Sequence, residues 1–78
     1  MLGERALWLA HRGTARMQLH HEREARVDFE SGLLSDPRDW VRGRILAKLS
    51  ELALAAGERA TARRQLEAAM EFSDRGGD

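Results

Sequence analysis

Three histidines, four serines and a cluster of arginines are the residues in this chain with the makings of chemistry. His20 and His21 are neighbours, Glu24 follows within a turn, and His11 stands apart. A zinc site needs a ligand set at recognisable spacing, such as His-Glu-x-x-His or paired Cys and His. Neither pattern occurs, so the histidines read as a solvated turn, and no metal is expected. Ser31, Ser35, Ser50 and Ser73 lack the Gly-x-Ser-x-Gly context that exposes a nucleophile. No glycine-rich loop is present to cradle a phosphate. The expectation is a chain that is not an enzyme and carries no cofactor.

Arg59, Arg63 and Arg64 make a small basic patch, but Glu67 lies four residues after Arg63, and Glu71 four after Glu67. The surface is therefore mixed, as on a solvated helix face. The whole chain balances 13 basic against 13 acidic residues. Neither half departs from this: residues 1–39 hold six Arg and seven Asp or Glu, and residues 40–78 hold seven Lys or Arg and six acids. Nucleic-acid binders carry a basic surplus that displaces counterions from phosphates, so nucleic acid is not the expected partner.

The elements that position these residues are helical. Among 78 residues there is one proline, and the β-branched positions are few: Thr14, Val27, Val41, Ile45 and Thr61. Ala, Leu, Arg and Glu, all good helix formers, dominate. A chain this short buries only about 60% of the surface it exposes when unfolded, which leaves little room for an enclosed active site. The absence of cysteine excludes disulfides and thiolate metal sites. The longest apolar run, Ala6 to Ala10, falls far short of the ~20 residues of a membrane span. No basic–apolar–small leader is seen, and a cytoplasmic setting is expected.

Apolar spacing predicts four helices. The first covers about Leu2 to Leu19, with Leu2, Ala6, Leu9, Gly13 and Ala15 on its stripe. The second covers Glu22 to Leu34, with Ala25, Phe29, Gly32 and Leu33 inward. Glu22, Arg23, Arg26 and Glu30 lie opposite, with Glu22 and Arg26, and Arg26 and Glu30, spaced four apart. Ser35 to Asp39 is a break in which Asp36 is read as an N-cap and Pro37 as the first residue of the third helix. That helix runs to Ala56, with Trp40, Val41, Ile45, Leu46, Leu49, Leu52 and Ala53 on its apolar side. Trp40 is read as a core or inter-repeat anchor, with a binding hot spot as the alternative. Gly57 stops the helix through a left-handed backbone. The fourth covers about Glu58 to Ser73, with Ala62, Leu66, Ala69 and Met70 inward, and Gly76 to Asp78 as a tail.

The halves repeat. Gly13, Ala25, Phe29, Gly32 and Pro37 are spaced twelve, four, three and five apart, and Ser50, Ala62, Leu66, Ala69 and Asp74 reproduce those intervals. Small residues fall where two helices must approach closely, with Phe29 and Leu66 plugging the seam.

This pattern resembles the tetratricopeptide repeat, whose period is ~34 residues. Arg12-Gly13-Thr14-Ala15 is similar to the small-residue core of that family's first helix. Ala25, Asp28-Phe29, Leu33 and Asp36-Pro37 are similar to its second helix and terminal proline. Ala56 to Ala62 is similar to its interhelix turn and following alanine. Departures are Arg16 and Ala53 where an aromatic is usual, His20 where glycine is common, and three extra residues between repeats, placed around Trp40 to Arg42.

The resemblance implies an all-α domain over residues 1–75: two antiparallel hairpins, four helices, stacked as a short right-handed superhelix. Repeat one spans about 6–39 and repeat two about 40–76. It also implies a non-catalytic module that binds a partner protein or peptide along the first helix of each hairpin. Carried onto this chain, that surface comprises Leu7, Ala10, Thr14, Met17 and Gln18, with Arg44, Ala47, Glu51 and Leu54. Leu7 to Ala10 are consecutive, so they cannot all face one neighbour, and Trp8 is expected to point toward a further contact. That contact is a partner, a second copy of the chain through its N-terminal helix, or another repeat of a longer array, since two repeats are fewer than a stable stack usually needs.

Overall fold

The computed structural model describes residues 4–35 and 37–76, the last four by their backbone, and every regular element among these is an α-helix. The order is α1 (Glu4–Gln18), α2 (Glu22–Leu34), α3 (Asp39–Ala55) and α4 (Arg59–Gly76). α1 pairs with α2 and α3 with α4, each pair joined by a short turn. The two hairpins meet through α3, which lies mainly on α2 and touches α1. Among the described helices α4 packs on α3 alone.

The two interhelix turns share one construction. At the end of α1, the His20 N–H donates to Met17 O at 2.9 Å and the His21 N–H to Arg16 O at 2.8 Å. At the end of α3, the Gly57 N–H donates to Leu54 O at 3.0 Å and the Glu58 N–H to Ala53 O at 2.8 Å. This paired pattern closes orphan carbonyls around a left-handed residue. His20 (φ 62) and Gly57 (φ 80) are those residues. They are 37 residues apart, as are the donors and acceptors around them, so the register of the sequence repeat is also the register of the backbone.

Some boundaries differ from expectation. α3 begins at Asp39 rather than Pro37, because Arg38 holds an extended backbone (φ −63, ψ 155) and its carbonyl accepts the first helical bond, from Arg42 N at 2.9 Å. Pro37 is buried in the approach to the helix. The Asp36 cap and Leu2 lie outside the described residues. α4 continues past Ser73 to Gly76.

Phe29, Val41 and Ile45 fill the centre with no exposed surface to speak of, ringed by Ala6, Ala10, Ala25, Leu49 and Leu52. Full burial of one such large side chain contributes about 1.5–3 kcal/mol. Small residues admit the large ones. A Cβ added at Gly13 would stand 2.8 Å from Phe29 Cε1, and one added at Gly32 would stand 2.9 Å from Ile45 Cδ1. Ala25 and Ala62 are both buried.

Four expected core positions are not core. Ala15 is exposed. Trp40 is 44% exposed: with Arg44, Ala47 and Glu51 it shares the side of α3 that faces away from both α2 and α4. Leu66 and Met70 are 49% and 61% exposed. Both lie on the flank of α4 beyond its contact with α3, where no further helix covers them. Phe29 plugs the first seam, but Leu66 leaves the second open. Arg26 does not pair along its own helix with Glu22 or Glu30. It reaches Glu58 of the second hairpin at 3.4 Å, because α3 brings the following turn alongside α2.

Candidate functional site

The residues expected to meet a partner form two rows on adjoining helices. On α1, Leu7, Thr14 and Gln18 share one face, with Leu7 and Thr14 half-buried and Gln18 exposed. The Thr14 hydroxyl donates to Ala10 O at 2.8 Å. Ala10 lies in the core, and Met17 packs partly against it, so neither offers much surface. On α3, Arg44, Glu51 and Leu54 are exposed and Ala47 half-buried. Glu51 sits 3.4 Å from Lys48. The large apolar side chains exposed on this side of α3 are Trp40 and Leu54.

A better-formed surface adjoins Leu54 on the other side. A cleft of about 310 Å³ opens between α3 and α4, lined by Ser50, Leu54, Arg59, Ala62, Arg63 and Leu66. Its floor is the small pair Ser50 and Ala62, and its walls are Leu54 and Leu66. Met70 extends the apolar strip one turn along α4. Two guanidinium groups, Arg59 and Arg63, stand at the rim, and neither has an ion pair among the described residues. A smaller cleft of about 230 Å³ flanks the Arg26–Glu58 pair, lined by Glu22, Arg23, Arg26, Leu52 and Ala56.

Each residue of the α3–α4 cleft has a counterpart 37 positions earlier: Gly13, Met17, Glu22, Ala25, Arg26 and Phe29. In the first hairpin that surface is roofed by α3. Phe29 is enclosed there and Arg26 has Glu58. In the second hairpin no described helix roofs the same surface. Of the residues lining this cleft, Leu54 alone is expected from the sequence at a contact surface, and Leu66 is expected in the core. The signal that finds the cleft is the repeat itself, applied to covering elements as well as to residues.

A second cluster lies at the opposite end. Trp8, 54% exposed, carries the Arg12 guanidinium over its ring at 4.4 Å from the centroid. Arg12 also grips Asp28 with two hydrogen bonds, Nη2 to Oδ1 at 2.9 Å and Nε to Oδ2 at 3.1 Å. Arg16 lies 3.4 Å from both oxygens. Asp28 is 1% exposed, so this carboxylate is tied to α1 from inside the hairpin. The hydrogen bonds that Arg12 donates to Asp28 hold its guanidinium above the usual arginine value, with burial opposing and charge attraction adding. The spacing of Trp8, Arg12 and Arg16 follows one helix face, but a fully buried Asp28 is invisible to hydropathy. The positions 37 later are Ile45, Leu49 and Ala53, with Gln65 in place of Asp28. With no arginine opposite it, Gln65 Oε1 is buried without a hydrogen-bond partner among the described residues.

His11, His20 and His21 are all exposed. Among the described residues no group of three or more His, Asp or Glu is disposed to hold a metal ion. No described helix is long and apolar enough to cross a membrane. No protein-family model, curated protein or solved structure matches this chain.

Proposed function

We propose that this chain is a non-catalytic protein-interaction module of tetratricopeptide-like organisation, which binds a partner protein or peptide through the exposed surface of its second hairpin. The observation that carries the reading is the unroofed apolar cleft beside Leu54, with Leu66 and Met70 exposed along it. Uncovered apolar side chains grouped at one place, rimmed by charge, are characteristic of contact surfaces. Leu54 joins this cleft to the outer face of α3, so a partner can use both. A cytoplasmic setting is part of the proposal.

The test is affinity capture from the source organism with the wild-type chain and with Leu54→Glu. Leu54 is exposed, so the variant is expected to fold, as circular dichroism will check. A partner retained by wild type and lost with the variant supports the reading. A wild-type chain that retains nothing above background refutes it.

A self-assembling subunit, or one section of a longer repeat array, is the second reading. It is favoured by Trp8, whose exposed indole stands on the N-terminal helix. Against it, the Arg12 guanidinium already covers one face of that ring. Sedimentation of wild type and Trp8→Ala separates the two: a Trp8-dependent oligomer supports self-assembly, and a monomer at hundreds of micromolar opposes it.

A further inference from the structure

We infer that the α3–α4 cleft is the seat of an amphipathic helix from a partner protein, lying antiparallel to α4, with an apolar row at i, i+4, i+8 and i+11 and an acidic residue six positions after the last of these. This rests on the interaction reading above and specifies its partner.

The template is inside the molecule. The first hairpin presents Ala25, Phe29 and Gly32 along α2, and α3 lies on them with Val41, Ile45, Leu49 and Leu52, which have that i, i+4, i+8, i+11 spacing. Ile45 meets Gly32 near the end of α2, and Leu52 lies beside Glu22 and Arg26 near its start. The covering helix is thus antiparallel to the one it covers. Six residues after Leu52, Glu58 reaches back to Arg26 at 3.4 Å.

The second hairpin presents the same construction in the same register. Ala62, Leu66 and Ala69 stand for Ala25, Phe29 and Gly32, Met70 stands for Leu33, and Arg63 stands for Arg26. Ala62 and Ala69 are buried, while Leu66 and Met70, whose counterparts α3 shields, are half exposed or more. Among the described residues Arg63 has no acid such as Arg26 has in Glu58. Apolar shape and unmet charge therefore ask for the same object: a helix like α3, followed by a carboxylate.

A second copy of this chain fits poorly. Its α1 would have to lie on the cleft in the place of α3. The positions matching Val41, Ile45, Leu49 and Leu52 are Glu4, Trp8, Arg12 and Ala15, and the position matching Glu58 is His21. Arg12 is committed to Asp28, and the residue at the Glu58 position is a histidine rather than an acid.

The probe is a synthetic peptide with the sequence of residues 39–58, stapled into a helix on its outer side and fluorescently labelled, titrated into the intact chain. Saturable binding is expected. Leu66→Glu in the chain should weaken it at least tenfold, and Arg63→Glu about tenfold. A peptide with Glu58→Arg should bind Arg63→Glu more tightly than wild type does. Both chain substitutions fall on exposed positions, and unchanged thermal midpoints will show that the variants are folded. Binding indifferent to Leu66→Glu, or no recovery in the charge-swapped pair, overturns the inference, as does a Leu66-dependent dimer of the chain alone in sedimentation. If wild type does not bind the peptide while affinity capture still yields a Leu54-dependent partner, the helix assignment fails and the interaction reading stands. If both fail, the interaction reading has failed as well.

Discussion

Replacing Gly13 with alanine would drive a methyl group into the Phe29 ring. Its Cβ would stand 2.8, 2.9 and 3.1 Å from Cε1, Cζ and Cδ1, all well inside ordinary carbon–carbon contact. Two effects oppose each other. Alanine is the better helix former in mid-helix, by about 0.5–1 kcal/mol. Forcing an extra carbon into a packed core costs typically 1–3 kcal/mol. Phe29 has no exposed surface and lies under α3, so its ring cannot swing toward solvent, and the steric cost should win. The expected net loss is on the order of 1 kcal/mol, which for a domain of this size lowers the thermal midpoint by roughly 4–8 °C. Far-UV circular dichroism during heating, with urea titration at 25 °C, reads both quantities. Combining Gly13→Ala with Phe29→Leu provides the internal check. Leucine withdraws the ring atoms that the methyl strikes, so the double variant should be more stable than the sum of the two single effects. A midpoint that rises on Gly13→Ala would show that α1 and α2 do not approach closely there. The physical meaning given to the recurring small residues would fall with it.

His20→Gly should stabilise: the left-handed backbone costs a side-chain-bearing residue about 1–2 kcal/mol, and the extra freedom of unfolded glycine takes back about 0.5–1, so a midpoint a few degrees higher is expected and a lower one would contradict the turn geometry. Asp28→Asn removes the charge on which two arginines converge from α1; hydrogen bonds to charged groups contribute about 1.5–3 kcal/mol, so it should lower the midpoint clearly more than Arg26→Ala, whose exposed partner Glu58 makes the pair worth about 1 kcal/mol or less and salt-sensitive. Equal effects in thermal melts at low and high salt would remove the distinction between the two ion pairs.

Local patterns in the chain foretell much of this fold. The bounds of α2 follow from its apolar stripe and its flanking turn residues, and Gly57 does adopt the left-handed backbone. Burial of Ala25, Phe29 and Ala62 follows from the repeat. Trp40, Leu66 and Met70 went astray for a common reason. Helical periodicity identifies an apolar face, but whether a neighbour exists to cover it is a property of the whole assembly. Leu66 and Phe29 occupy equivalent places and differ only in whether a helix lies above them. Asp28 was hidden for the converse reason: a carboxylate reads as solvent-facing until its arginines are seen across the hairpin, twelve and sixteen residues away. Arg26 has two acids at helical spacing and uses neither, because a tertiary contact competes successfully with local ones.

Among the described helices, α4 leans on one neighbour. Every other helix is braced from at least two directions, so the last helix should be the first to lift away when the fold breathes, and its amides should exchange soonest with deuterated solvent. Any helix that settled over Leu66 would give α4 a second buttress. Slower exchange along Ala62 to Met70 would then report occupancy directly, even where no change of shape accompanies it.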